Sequence, residues 1–208
     1  MISIFLTNLG KYNEGELVGE WVELPIKSKA LEAALERIGI DNVRYEEYFL
    51  TDYESLVAGI IESLGEYINL STVNYLALRL KSMDVDELKC LEAVIGYEGE
   101  RDIDKIINLT YNLGCYYYRE DITTPKDYGE MLVDEGYLGE IPDNLLGYLD
   151  HEAIGRDYLL SGMANITEHG LVEQIDEPNE VYCGYKDTPS QAEMDQAIEQ
   201  IEESELEQ

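Results

Sequence analysis

The chain has little of what chemistry at neutral pH usually needs. It holds only two histidines in 208 residues, His151 and His169, which leaves little material for general acid–base work. Its three cysteines, Cys90, Cys115 and Cys183, are odd in number and form no CxxC pair, which argues against a disulfide framework and a zinc ribbon and fits a reducing compartment. Cations are scarce. Only 14 Lys and Arg stand against 45 Asp and Glu, for a net charge of −31. Such a surface repels nucleic acid and anionic membrane alike. No apolar run approaches the ~18 residues of a membrane helix, and the opening MISIFLTNLG has no basic leader, so no signal peptide is expected. The glycines make neither a GxGxxG turn nor a GxxxxGK[ST] phosphate loop.

What is present is a folded chain under an acidic skin. Hydrophobic residues make up 45% and tyrosines number 17, enough for a core where an acidic chain poor in both would read as disordered. A net charge of roughly two to eight suffices for the solubility of a small domain. The excess here is far larger and reads as a functional field, equivalent to roughly 53 Å of duplex at one charge per 1.7 Å. It attracts basic surfaces.

The pattern predicts an elongated α+β protein. A small N-terminal antiparallel unit spans 1–59: Ile2–Leu6 alternates as a strand, Val18–Leu24 is a second with Trp21 its largest apolar group, and Tyr45–Leu50 is a third. Between them Ser28 caps a helix through Ile38 that Gly39 stops. A helical bundle occupies 60–113, with helices opening at Ser71, at Asp84 in a capping box with Glu87, and at Asp102; Gly96 is the expected stop of the second. A C-terminal α+β unit follows over 114–176. It has a Tyr-rich strand at Cys115–Tyr118, a helix from Thr124-Pro125 to Gly136, and a hairpin about Glu168-His169-Gly170. Within it, Leu145, Leu149, Ala153 and Leu160 recur at helical spacing after Pro142, with Asp143 or Asn144 as cap. The segment 177–208 is expected to be a mobile linker through Ser190 and then a marginal helix striped by Met194, Ile198 and Ile201.

Catalytic and metal readings find little support in the residues. His151 and His169 read as surface residues, and pairing His151 with Ser161 lacks a nucleophile-elbow sequence. Asp84-Val85-Asp86 and Asp102-Ile103-Asp104 imitate the start of a calcium loop without its glycine, so helix capping is the better reading. Tyr116, Tyr117 and Tyr118 read as packed rather than base-stacking. No enzyme activity and no cofactor are expected. The carboxylates themselves are the candidate site: Glu14, Glu16, Glu20 and Glu23; Glu46, Glu47, Asp52 and Glu54; Asp84, Glu87 and Glu92; and Asp150, Glu152 and Asp157.

Three collinear stretches carry a resemblance. TNLGKYNEGELVGEWVELP (Thr7–Pro25), EEYFLTDYE (Glu46–Glu54) and LGEIPDNLLGYLDHEAIGRDYLLSG (Leu138–Gly162) resemble the ArdA antirestriction family of plasmids, conjugative transposons and phages. The likeness covers about Met1–Ile175 with a divergent middle. It implies a cytoplasmic homodimer that imitates duplex DNA, occupies the DNA groove of type I restriction–modification enzymes, and needs no cofactor, nucleic acid or membrane. It also implies that Leu138, Gly139, Glu140, Ile141 and Pro142 form the family's antirestriction motif near the dimer seam. Two other readings stand beside it: the same mimicry aimed at another phage-defence or nucleoid protein, and an acidic calcium-binding or scaffold protein.

Overall fold

Strand β1 (Ile2–Asn8) is the centre of an antiparallel sheet flanked by β2 (Gly19–Leu24) and β3 (Tyr48–Ser55). The computed structural model describes residues 2–206. Met1, Glu207 and Gln208, at the margins of the first and last expected units, lie outside the described residues. Alternation sets the two faces of the sheet: Ile2, Ile4 and Leu6 are buried beside Val22 and Leu24, while Ser3 and Phe5 point outward. A bulge in the pairing with β3 leaves Thr51 without a partner between Leu50 and Asp52.

The expected turn after β1 is a short helix, α1 (Leu9–Asn13). Buried Asn8 caps it by accepting from the Lys11 N–H and donates its own amide to the Ile38 carbonyl. Helix α2 (Ser28–Arg37) ends as expected before Gly39, whose φ of +84° suits glycine. Ser28 does not cap it. The N-cap is Lys27, which makes no side-chain cap bond.

Helices α3 (Leu70–Lys81), α4 (Val85–Glu98) and α5 (Ile103–Asn112) form the middle of the chain. α3 is buried around most of its circumference. Its cap is Asn69, which accepts from the Ser71 N–H. The Asp84–Glu87 capping box and the Asp102 cap are both present. α4 runs through Gly96 and stops at Gly99, which takes the left-handed conformation.

A second antiparallel sheet, in the order β4 (Tyr116–Arg119), β6 (Gly170–Gln174), β5 (Ala164–Thr167), contains the expected hairpin. Before it come α6 (Pro125–Asp134), opened by a Thr124–Asp127 capping box, then α7 (Asp143–Leu146) and α8 (His151–Leu159). The single apolar stripe expected after Pro142 is not one buried face. α7 ends at Leu146 with Gly147 as its C-cap and Asp150 caps a separate α8, and Leu145 and Leu160 remain 47% and 80% exposed. α8 lies against α6 through Gly129 and Gly155.

One hydrophobic cluster runs from Ile2 through the middle helices to Ile198, across residue 59; a smaller one, with Ile122, Leu132 and Leu171, sits under α6 and α8. The segment beyond 177, expected as a mobile linker and then a marginal helix, packs against the rest of the chain. α9 (Gln191–Leu206) buries Met194 and Ile198 to 1% and 2% exposure, and Asn108 and Asn112 hold the preceding stretch by bonds to Asn179, Val181 and Tyr182. Its stripe is the one expected; tertiary burial, not propensity, gives it order. The whole exposes 12244 Å², against about 9,800 Å² for a compact monomer of this mass. Such an excess fits an extended body.

Candidate interaction surface

The outward face of the first sheet gathers acids in register. Glu23 of β2 and Glu54 of β3 both pair with Ser3, and Trp21 and Asp52 both pair with Phe5. All lie on the solvent side, because their neighbours Val22, Leu24, Ile2 and Ile4 are buried. Glu23 and Glu54 therefore sit roughly 10 Å apart at the backbone across the small Ser3 side chain. Trp21 is the largest apolar group of β2. It is 45% exposed, packed edge-on against Phe5 at 5.4 Å. Below the two glutamates lies a hollow of about 550 Å³ walled by Leu24, Leu56 and Ile61.

The fourteen candidate carboxylates divide by what they touch. Glu14 accepts from the Tyr45 hydroxyl and Arg44, which hold its carboxyl below the usual range. Glu20 makes a two-point pair with Arg37. Asp84 and Glu87 are the two halves of the α4 capping box. Glu92 accepts from the Ala58 N–H and faces His169 at 3.7 Å. Asp150 caps α8, and Glu152 pairs with Arg156 one turn on. The other seven, Glu16, Glu23, Glu46, Glu47, Asp52, Glu54 and Asp157, are exposed and have no ion pair among the described residues. Sequence spacing found both groups but gave no signal to separate structural acids from free ones. It passed over Glu199 and Glu203 of α9, exposed acids whose helix it expected to be loose.

The remaining chemistry is structural. His151 begins α8 and Ser161 follows its end, roughly 15 Å along the axis at 1.5 Å per residue; the Ser161 hydroxyl donates to the Tyr158 carbonyl. His169 sits in the β5–β6 turn, 3.2 Å from Glu168. Asp102 accepts from the N–H groups of Asp104 and Lys105, so the calcium-like pairs are helix starts. No group of three or more His, Cys, Asp and Glu residues able to hold a metal forms among the described residues. Tyr116 is buried with its hydroxyl on Glu98, and Tyr118 donates to the His169 carbonyl. Burial pushes the Tyr118 hydroxyl up to about 12.

A different surface surrounds Leu138–Pro142. Gly139 turns the chain with φ +78°, Glu140 and Pro142 are exposed, and Ile141 is half-buried. The adjoining Tyr137, Leu145, Leu146 and Tyr148 are exposed as well, Tyr148 to 88%. Together they make an exposed apolar patch on this side of the molecule.

The model of the antirestriction protein family ArdA matches residues 4–173. The chain belongs to the ArdA family. Membership makes it an antirestriction protein, of a family of inhibitors that act on restriction enzymes. Comparison with curated proteins returned no match. The ArdA region starts inside β1 and stops inside β6, and between them takes in the free acids of the first sheet and the exposed run at 137–148. α9 lies beyond it. No helix among the described residues is long and apolar enough to cross a membrane.

Proposed function

We propose that this ArdA-family protein is a DNA mimic that occupies the DNA-binding groove of type I restriction–modification enzymes and blocks them by competition in the host cytoplasm. The observation that carries the reading is the acidic row of the first sheet: Glu23, Asp52 and Glu54, held in register by the strands, without a cation partner among the described residues. An enzyme that grips DNA presents Lys and Arg to phosphates and gains from counterion release. Carboxylates on a sheet offer those cations a partner at fixed spacing with little ordering cost. The hollow under Glu23 and Glu54 suits the aliphatic stem of a Lys or Arg whose charged head meets the carboxylates. The protein carries neither a scissile phosphodiester nor a methylatable base, so the groove is filled without turnover.

The exposed apolar run around Leu138–Pro142 supports a homodimer through this segment, which would double the charged length and match the two-fold layout of DNA-binding complexes. The test is DNA cleavage and methylation by a purified type I enzyme with and without the protein. Inhibition relieved by excess DNA and by added salt is expected. Inhibition indifferent to both would refute competition.

A further inference from the structure

The segment outside the ArdA match does more than fill a groove. Three cationic features along α9 meet its carboxylates, while Arg79, in the same groove, is held by Thr110 and the Tyr111 ring instead. The N-terminus of α2 has no side-chain cap of its own, and its first amides carry the positive end of the helix dipole. Asp195 takes the Ser28 N–H at 2.8 Å and the Ser28 hydroxyl. Burial opposes ionisation of Asp195, but the bonds from Ser28 and Gln191 outweigh it and hold the carboxyl below its usual range. Glu202 pairs with Lys27 at 2.6 Å, and Glu205 with Lys81 at 3.2 Å. Met194 and Ile198 already anchor the helix, so packing alone does not require these charges. Meanwhile Glu199 and Glu203 point outward without an ion pair among the described residues, and the segment from Asp176 holds eleven acids against Lys186 alone.

We propose that residues 176–206 are a charge-masking strap: they cancel the α2 N-terminus, Lys27 and Lys81, so that the flank built by α2, α3 and α9 meets a cationic partner as a predominantly acidic face on which Lys29 is the exposed cation left without an ion pair among the described residues. This rests on the DNA-mimic reading. Without the strap the flank would place two lysines and a helix N-terminus in the path of an enzyme's own Lys and Arg, and like charges at an interface exclude binding.

The experiment compares full-length variants in the type I cleavage assay at low salt, each checked for its fold by circular dichroism and melting. E202Q/E205Q exposes both lysines and is expected to weaken inhibition about threefold to tenfold, as close charge pairs at interfaces do. Adding K27Q/K81Q to it restores potency to within about twofold of the parent, whereas adding R101Q/K126Q, which restores the same net charge away from the strap, does not. K27Q/K81Q alone retains at least parental potency. Equal potency of parent and E202Q/E205Q, equal rescue by both lysine and remote pairs, or a loss on K27Q/K81Q alone overturns masking while leaving the mimic intact. A parent that does not inhibit overturns the mimic reading and the strap with it.

Discussion

Glu23, Ser3 and Glu54 show how a single small side chain shapes a surface. Ser3 between the two glutamates leaves both carboxylates free to lean over the hollow lined by Leu24 and Leu56. A larger residue there would screen one from the other. E23Q/E54Q removes two charges without disturbing the buried side of the strands, so its melting temperature should match the parent or exceed it, since like charges are relieved. Inhibition of a type I enzyme should weaken about tenfold at low salt, and its steepness with salt should fall. The cysteines give a second residue-scale expectation. Cys90 is half-buried and burial pushes its thiol up to about 11, whereas Cys183 is exposed. Burial and then the nearby Glu180 and Asp187 raise the Cys183 thiol as well, so a thiol reagent at pH 8 should modify Cys183 slowly but first, leaving Cys90 untouched until the protein is unfolded.

At the scale of elements, α6 and α8 meet through glycine. A Cβ on Gly129 would lie 1.8 Å from the His151 carbonyl oxygen, and one on Gly155 equally close to that of Pro125. Backbone cannot swing aside as a side chain does. G129A or G155A should each cost roughly 3 kcal/mol, seen in denaturant unfolding as a lower midpoint, with the small core around Leu132 losing order first. These contacts were not legible in the sequence, because nothing local tells a packing glycine from a turn glycine. The helix starts at Asp84, Asp102 and Thr124 were legible, because each is a local bond between neighbours in the chain. The start of α2 at Ser28 was legible too, but not what caps it: its carboxylate comes from Asp195, 167 residues away. The helix break between Leu146 and Asp150 was hidden because apolar spacing continued across it while the caps won locally. The free and structural carboxylates looked alike for the same reason. Arg37 and Ala58, which occupy Glu20 and Glu92, are neighbours only in the fold.

For the molecule as a whole, charge opposes folding at neutral pH, and the direction of its pH dependence follows from individual groups. Burial raises Glu173 and Asp104, so their ionised forms work against the fold, and that penalty fades as pH falls through their raised values. Asp127, held low chiefly by the Thr124 hydroxyl, and Asp121, held low by Arg119, act the other way. Their support is present above the unfolded value near 3.9 and is lost as pH falls through their depressed ones. Melting temperature should thus climb from pH 8 to about 5 and drop below about 4. A profile falling steadily from pH 8 downward would contradict this balance.

The match to the ArdA family model ends at residue 173, yet Tyr75 and Leu78 of α3 are covered from outside it, by Tyr182 and by the groove wall that α9 supplies. Any relative lacking such an addition faces a different solvent at those two positions. It should have swapped them for wettable side chains, and should carry its own oxygen acceptor where Lys27 begins α2. Reading those three sites across relatives would therefore tell which of them carry a covering helix there.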